Sequence, residues 1–388
     1  MNRMFSSVAG LLLALSLLPT TRPAEAQTLE MIVDLTGEWK FEVGDEPAWS
    51  AQQFDDSRWD RVRFPGQWED QGYPGYDGFA WARKSFKAPM RQPGDLLYLR
   101  IGNVDDADEV YLNGVLIGYT GEFPPHYATG YGELRHYPLA PTLVRWGEEN
   151  VIAVRIYDGE MGGGIANGPV GIFLDHGALR LEYPLLAANA PRTGGQKGPV
   201  DGLVWRFRTG DKQEWADPNF DDHDWKTLVV PLHWDAQGYK EYDGFAWYRV
   251  RFKTPDIDRT KPIILILGKI DDVDEVYLNG SLIGRTGKMP PHWGQGDAYQ
   301  KLRAYTIPAG RITPGADNVL AIRVYDGFRD GGIYDGPIGF VTRDRYVAWS
   351  RENRPKTTVL HRIIEFFSGD DSPYEPDPPE PPATRHTP

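Results

Sequence analysis

Clustered carboxylates that occur twice are the residues of this chain with the clearest chemical potential. Each cluster precedes a short apolar strand, and the two copies lie 166 residues apart. Such carboxylates can supply hard oxygen ligands to a divalent cation or accept hydrogen bonds from sugar hydroxyls. The pattern favours the alternative, in which they cap a turn and pair with Arg100, Arg135 or Arg155, since neighbours on a strand face opposite directions. The members are Asp105, Asp106 and Asp108 in the first copy and Asp271, Asp272 and Asp274 in the second.

Two glycine-rich loops contain a further set of candidate ligands. Tyr157-Asp158-Gly159 opens a loop that runs to Pro169, and Tyr325-Asp326-Gly327 opens its counterpart, which runs to Pro337. Glycine permits tight turns and the close approach of a ligand, so the loops suit a calcium or sugar site, or a bulge over a sheet edge. We expect no obligatory cofactor, with calcium as the metal that these residues would take. The candidate metal ligands are Asp158, Asp326, Asp105 and Asp271.

Aromatic residues and histidines in two loops that differ between the copies are candidates for carbohydrate binding. The differing loops follow a Pro-Pro-His sequence that both copies share. Aromatic rings can cover sugar C–H faces, and histidine can hydrogen-bond a hydroxyl. The alternative is a solvent loop with one hydrogen-bonded histidine. The candidate residues are His126, Tyr127, Tyr131, His292, Trp293, Tyr299, Tyr73 and Tyr239.

Composition excludes several function classes. The chain has 388 residues and no cysteine, which excludes disulfides, thiolate metal sites and cysteine nucleophiles. Its formal net charge of −13 argues against nucleic acid and anionic membrane surfaces as partners. No histidine lies in an H-E-x-x-H spacing, and no serine lies in a G-x-S-x-G nucleophile turn. Neutral sugars and divalent cations remain compatible with this composition.

The two ends of the chain predict processing and disorder. Arg3, the apolar run Leu11–Leu18 and the Ala24-Glu25-Ala26 site are typical of a secretory signal peptide over residues 1–26. We therefore expect a secreted or periplasmic protein with no transmembrane segment. Residues 344–367 are an extension with a predicted short helix over Thr358–Phe367. The Pro-rich tail over 368–388 predicts disorder.

A whole-domain duplication organises the rest of the chain. The stretch VDDADEVYLNGVLIG at 104–118 recurs as IDDVDEVYLNGSLIG at 270–284, with twelve of fifteen positions identical. Matching positions lie 166 apart up to the differing loops and 168 apart from Arg135 and Arg303 onward. A unit of this length is too long for a solenoid repeat. We predict one domain over 27–184, a linker over 185–199 and a second domain over 200–343.

The elements that position the candidate residues are short strands. Asn113-Gly114 predicts a type I′ hairpin between Glu109–Leu112 and Val115–Ile117. Leu96–Ile101 and Ile263–Leu267 are apolar runs typical of fully buried strands, and Leu179–Leu185 is predicted to close the first unit. Trp81 and Trp247 are expected in the core. The absence of helical periodicity indicates an all-β protein with two tandem β-sandwiches.

Several motifs in both units resemble one known domain. These are F-D-D-x-x-W, Y-D-G-F-A-W followed by Arg, D-E-V-Y-L-N-G, and the strand that ends in R-x-Y-D. They resemble the galactose-binding-like jelly roll, the sugar-binding domain of family 2 glycoside hydrolases of the β-galactosidase type. The jelly-roll domain of sialate O-acetylesterases is more similar still, through Pro-Pro-His and the Gly-Gly-Ile…Gly-Pro loop. The resemblance covers residues 30–183 and 200–343.

The resemblance implies an accessory role, because in those enzymes the jelly roll lies beside a separate catalytic domain. Neither a catalytic barrel nor an esterase core is recognisable here. We expect an exported, non-catalytic carbohydrate-binding protein that is accessory to the breakdown of polysaccharides or glycoconjugates. Two alternatives stay open: a structural module that binds a glycosidase or esterase partner, and a divergent glycoside hydrolase or carbohydrate esterase.

Overall fold

A computed structural model describes residues 29–90, 96–185, 205–253, 258, 260–294, 296–312 and 317–353. The predicted signal peptide, the helix over Thr358–Phe367 and the Pro-rich tail lie outside the described residues. Within them the protein is nearly all β, with four antiparallel sheets and one α-helix. This confirms the predicted all-β sandwich class. No helix in the described part of the chain is both long and apolar enough to cross a bilayer.

The first unit contains ten strands. They are β1 Leu29–Asp34, β2 Gly37–Val43, β3 Asp60–Phe64, β4 Gly78–Lys87, β5 Leu97–Asp105, β6 Ala107–Leu112, β7 Val115–Thr120, β8 Leu134–Leu139, β9 Glu149–Asp158 and β10 Gly164–Asp175. One sheet has the order β1-β10-β5-β8, and the other has the order β3-β2-β4-β9-β6-β7. The strand that precedes the aspartate cluster therefore belongs to the smaller sheet, and the strand that follows it belongs to the larger one.

Alternating apolar residues bring the two sheets together. Ile152, Val154 and Ile156 of β9 are all buried, as their alternation predicts, and they face the buried Leu97 and Leu99 of β5 across one core. Because β5 is buried over nearly its whole length, Asp105 at its end lies at the edge of the packed core.

The second unit repeats this architecture. Its strands are β11 Tyr183–Pro184, β12 Trp205–Thr209, β13 Lys226–Leu228, β14 Gly244–Lys253, β15 Ile263–Asp271, β16 Val273–Leu278, β17 Ser281–Thr286, β18 Ala304–Ile307, β19 Asp317–Asp326 and β20 Gly332–Thr342. The sheet orders are β11-β20-β15-β18 and β13-β12-β14-β19-β16-β17, which match the first unit strand for strand. Trp81 and Trp247 are completely buried in matching positions, as predicted.

The predicted boundary between the units is wrong. Tyr183 and Pro184 pair with Phe340 and Gly339 of β20, so this short strand opens the second unit and does not close the first. Leu185 lies in the second core. The segment predicted as a linker therefore connects two strands of one unit. This assignment is hard to make from the sequence, because β11 and β12 are much further apart in the chain than β1 and β2. The spacing of 166 residues that relates the two units therefore does not hold for β1 and β11.

The tight turns confirm the predicted hairpins. Asn113 and Gly114 have φ values of 53° and 86°, and Asn279 and Gly280 have 49° and 78°. Two successive positive φ values are what a type I′ turn requires. The Asn113 amide also donates to the Asn150 side chain at 2.9 Å. Each hairpin is thus anchored to the strand that leads into the glycine-rich loop.

An α-helix, α1 Arg343–Glu352, follows β20 directly. It lies earlier in the chain than the helix predicted from sequence. Trp349 anchors it, because its indole Nε1 donates to the carbonyl of Gly177 at 2.7 Å. The helix thus ties the end of the second unit to the segment that follows the first.

The two units contact each other directly. Val229 and Leu232 of the second unit belong to the apolar core of the first unit. Tyr98 on β5 donates to the Asp335 carboxylate on β20 at 3.1 Å, and Tyr119 on β7 hydrogen-bonds Asp330. The glycine-rich end of the second unit therefore packs against the first unit.

Candidate functional site

Three carboxylates converge where β5 of the first unit leads into β6. Asp105, Asp106 and Asp158 each place an oxygen within 4.8 Å of the others. Asp158 is the last residue of β9, and the Asp105–Asp106 peptide bond is cis. Strict alternation of side chains does not apply at this junction, because one strand ends at Asp105 and the next begins in the other sheet. We call these three residues the first triad.

The second unit contains the same arrangement. Asp271, Asp272 and Asp326 also place oxygens within 4.8 Å of one another. The Asp271–Asp272 peptide bond is cis as well. We call these residues the second triad. All four residues that the sequence proposes as metal ligands thus lie in the triads, two in each.

The third aspartate of each cluster has a different role. Asp108 and Arg135 are both completely buried and form an ion pair at 2.6 Å, and the Tyr137 hydroxyl donates to Asp108 at 2.7 Å. Asp274, Arg303 and Tyr305 repeat this geometry. The predicted pairing of a clustered aspartate with Arg135 is therefore correct for Asp108. Asp105 and Asp106 turn instead toward Asp158.

Hydrogen bonds fix Asp106 within the first triad. Its carboxylate accepts from the Thr129 hydroxyl at 2.6 Å and from the Gly159 amide at 3.0 Å. Burial would raise its pKa, but bonds from Thr129, Tyr127 and Gly159 hold that pKa below the usual range. Asp106 is thus held as a carboxylate. In the second unit the Gly327 amide donates to Asp272 at 3.2 Å.

The remaining triad carboxyls have raised pKa values. Burial, followed by the charge of Asp106, raises the pKa of Asp105 to about 6. Burial, followed by the charges of Asp105, Glu69 and Asp106, raises the pKa of Asp158 to about 7. Burial is also the largest cause for Asp326, whose pKa rises to about 7, and for Asp271, whose pKa rises further beside Asp272. Mutual repulsion is thus concentrated at both triads.

A cleft of about 360 Å³ opens beside the first triad. An exposed aromatic ring, Tyr131, lies at its edge with 68% of the residue accessible. Asn103 on β5 and Asn167 on β10 are paired in the register of the two strands, and both line the cleft. We call this the amide cleft. It is lined by Gln67, Asn103, Val104, Asp105, Tyr131, Gly132, Ala166 and Asn167.

The matching position in the second unit is filled by larger and charged side chains. Lys269 and Asp335 replace the two asparagines in the same cross-strand register and form an ion pair at 2.9 Å. Tyr334 replaces Ala166, and its ring stacks on His233 with centroids 4.6 Å apart. Asp335 also accepts from Tyr98 of the first unit. The second copy of the cleft is therefore part of the contact between units.

The structure separates the aromatic residues that the sequence proposes for sugar binding. Tyr131 lines the amide cleft. Tyr127 lies above the first triad: its ring contacts Tyr157 edge-on at 5.5 Å, and 43% of the residue is exposed. Trp293 takes the matching place beside Tyr325 in the second unit, at 5.5 Å. Tyr127 and Trp293 thus take matching places beside Tyr157 and Tyr325, each of which directly precedes the last residue of its strand.

The other proposed residues lie elsewhere. Tyr73 and Tyr239 pack edge-on against Phe41 and Phe207 of the two cores, and Tyr73 donates to Asp60 at 2.6 Å. The three remaining residues are exposed: His126, His292 and Tyr299. The backbone carbonyl of Tyr299 accepts from the Tyr334 hydroxyl at 2.9 Å.

Sequence reasoning missed the amides of the cleft, although a signal for them was present. Gln67, Asn103, Ala166 and Asn167 correspond to His233, Lys269, Tyr334 and Asp335. Each of these differences lies inside a segment that otherwise repeats closely. Divergence at positions flanked by identity could have marked them as places where the two copies differ in function.

The fold and these sites define a protein of duplicated jelly-roll sandwiches with a carboxylate triad in each unit. Comparison with known proteins agrees with this class. The family model described as "Beta-galactosidase second all-beta domain" matches residues 209–327. β-Galactosidase BoGH2A of Bacteroides ovatus is 28% identical over 142 residues, which is 33% of this chain and 15% of that protein. The chain therefore resembles the β-sandwich domains of family 2 glycoside hydrolases.

The relatives are much longer than the region they share with this chain. A β-glucuronidase of Formosa agariphila is 28% identical over 102 residues, which is 22% of this chain and 10% of that protein. A solved family 2 β-glucuronidase superposes on 78% of this chain and 27% of its own, at 15% identity and a TM-score of 0.33. This chain spans 15% or less of the length of these curated relatives.

Proposed function

We propose that this chain binds carbohydrate without cleaving it, as an accessory protein in the breakdown of polysaccharides or glycoconjugates, and that the amide cleft of the first unit holds the sugar. One observation carries the proposal: exposed Tyr131 lines a single cleft together with the cross-strand pair Asn103 and Asn167. The resemblance to sandwich domains of β-galactosidases supports a sugar as the ligand class.

The chemistry of the amide cleft matches that of a sugar. Each side-chain amide offers two N–H donors and a carbonyl acceptor, and a sugar hydroxyl can both donate and accept. Tyr131 supplies an apolar face with a polar tip, which suits the C–H face of a pyranose. The volume of about 360 Å³ lies in the lower part of the range of about 300–1,000 Å³ that small-ligand pockets occupy. The cleft therefore suits a terminal sugar or a short branch.

Binding is supported better than hydrolysis. Glycosidases flank the bond that they break with two carboxyl groups, about 5–9.5 Å apart. Among the described residues that line the amide cleft, Asp105 alone carries a carboxyl group. Asp106 and Asp158 are buried and are not among the residues that line the cleft. A sugar in the cleft would thus meet one carboxylate and several amides, which favours recognition.

A glycan microarray probed with the full chain tests the proposal. We expect binding to a defined class of glycans, and Tyr131→Ala should weaken that binding about tenfold or more through loss of the ring contact. Tyr299→Ala is the matched control, because it removes an exposed tyrosine that does not line the cleft. A chain that binds no glycan, or two variants with equal losses, would refute the proposal.

A further inference from the structure

We propose that each triad binds one calcium ion, so that the protein holds two structural calcium sites related by the duplication. The first site is formed by Asp105, Asp106 and Asp158, and the second by Asp271, Asp272 and Asp326. This inference does not depend on sugar binding, since the same three carboxylates converge in both units, whereas the sugar is proposed for the first unit alone.

Unsatisfied buried oxygens are the observation that points to a ligand. Asp158 and Asp326 are completely buried. Among the described residues, neither oxygen of Asp158 and only one oxygen of Asp326 has a hydrogen-bond partner. A buried carboxylate without a partner is costly in free energy, and such groups are normally paired or bound to metal.

The same fold satisfies its other buried carboxylates, which makes the triads stand out. Asp108 and Asp274 are as deeply buried as Asp158, yet each pairs with an arginine and a tyrosine. No lysine or arginine forms an ion pair with a triad carboxylate among the described residues. Both copies have the same three aspartates, and in both at least one buried oxygen of the third aspartate has no hydrogen-bond partner among the described residues, which supports a common ligand.

The donor set selects the ion. Three carboxylates with no nitrogen or sulfur ligand suit a hard cation such as calcium or magnesium. Oxygens within 4.8 Å of one another can contact a single calcium ion at about 2.3–2.6 Å. Magnesium normally keeps several waters and rarely enters a site made by protein alone, whereas Asp158 and Asp326 offer buried oxygens. Calcium therefore fits better.

The surroundings are already organised to hold an ion. In the first unit, Thr129 and Gly159 orient Asp106, and the Glu69 carboxylate accepts from the Gly163 amide at 3.0 Å. In the second unit, Asp235 accepts from Gly331 at 2.8 Å in the matching position. The amides of Gly159 and Gly327 donate to Asp106 and Asp272, so each glycine-rich loop is tied to its triad. A bound ion would thus link β5 or β15 to the loop that follows β9 or β19.

Calorimetric titration of the chelator-stripped full chain with calcium chloride tests the inference, with magnesium chloride titrated separately. We expect about two calcium ions per chain, one for each triad, and a melting temperature that rises with calcium concentration. Asp158→Asn and Asp326→Asn should each remove about one ion, because the amide keeps the shape but loses the charge. Asp70→Asn, an exposed neighbour of Glu69, is the matched control and should keep both ions.

Three outcomes would overturn the inference. The first is wild-type protein with neither calcium heat nor a calcium-dependent melting temperature. The second is a double variant, Asp158→Asn with Asp326→Asn, that still binds calcium as the wild type does. The third is a clear preference for magnesium. Because these readouts need no sugar, failure here leaves the proposed carbohydrate binding to be judged by its own experiment.

Discussion

At the scale of single residues, the buried aspartates differ in whether a positively charged side chain lies beside them. Asp108 and Asp274 have cationic partners, while Asp158 and Asp326 face other carboxylates. The first two hold the fold together. The second two leave negative charge concentrated at the sites that we assign to calcium.

Raised pKa values make the stability of the metal-free protein depend on pH in a defined direction. The pKa of Asp158 and of Asp326 is about 7 in the folded chain, against about 3.9 for an unfolded aspartate. Between these values the folded state binds more protons, so the contribution of these groups to the free energy of unfolding falls as the pH rises from about 4 to 7.

The double variant Asp158→Asn with Asp326→Asn should therefore become more stable relative to the wild type as the pH rises in a chelating buffer. Thermal unfolding followed by circular dichroism at about pH 5 and pH 8 gives the comparison. With calcium present at the higher pH, the wild type should instead be more stable than the variant, because only the wild type binds the ion. A difference between the two proteins that does not change with pH would contradict the assigned pKa shifts.

The Asp108–Arg135 pair gives a second prediction at this scale. Both side chains are completely buried, so Arg135→Met leaves a buried carboxylate without its cation. We expect a loss of about 3–5 kcal/mol in the free energy of unfolding, measured by urea denaturation. Arg61→Met removes an exposed ion pair with Glu38 and should cost about 0–1 kcal/mol. Similar costs for the two variants would argue that Asp108 is satisfied without Arg135.

At the scale of elements, the close approach of β5 and β10 shapes the amide cleft. Gly102 has a φ of 65°, and a Cβ there would lie 1.9 Å from the carbonyl oxygen of Asn167. Gly268 repeats this contact with Asp335. Only glycine lets the two strands come this near, so both units need it to set their cross-strand pair.

Gly102→Ala should be compared with Gly132→Ala. Both positions have positive φ, so both variants carry a backbone cost of about 1–2 kcal/mol, but a Cβ at Gly132 meets nothing within 4 Å. We expect Gly102→Ala to lose about 1–3 kcal/mol more, from overpacking against β10. Chemical denaturation measures both. Equal losses would mean that the strands can separate at this point without cost.

Sequence alone predicts much at this scale, for reasons that the structure makes plain. The Asn-Gly hairpins, the alternation along β9 and the apolar run of β5 are local signals, and each gave the correct strand. The sequence assigns the strand β11 to the wrong unit, because only two of its residues pair with β20 and two residues are too few to show an alternation of apolar and polar side chains. Proximity of Asp105 to Asp158 depends on how the two sheets meet. The sequence therefore identifies Asp105 and Asp158 as candidate ligands but does not show that they lie together.

At the scale of the whole molecule, duplication has produced two units with different surroundings. The first keeps the amide cleft open, and the second fills the same position with Lys269, Asp335 and Tyr334. The filled end packs against the first unit through Tyr98 and Leu232. The larger side chains of Lys269 and Tyr334 indicate from sequence which copy is filled, but the contact of that end with the first unit depends on how the units pack.

The contact between units should couple their unfolding. Leu232 is buried in the core of the first unit although it belongs to the second, so Leu232→Ala should cost about 2–5 kcal/mol. Scanning calorimetry should show that unfolding is less cooperative, with two resolved transitions. Leu282→Ala, at an exposed leucine, is the control and should leave the profile unchanged. One sharp transition in the Leu232 variant would indicate that the units are coupled by other contacts.

Calorimetric titration with the glycan that the microarray selects is the most direct test of sugar recognition by this protein. The informative variant carries Asn103→Lys, Ala166→Tyr and Asn167→Asp, which gives the first unit the residues that fill the second. These side chains already fit this fold, so the melting temperature should change little. We predict one sugar site per chain in the wild type and no measurable binding in the variant. Undiminished binding by a folded variant, or two sugar sites in the wild type, would contradict recognition in the amide cleft.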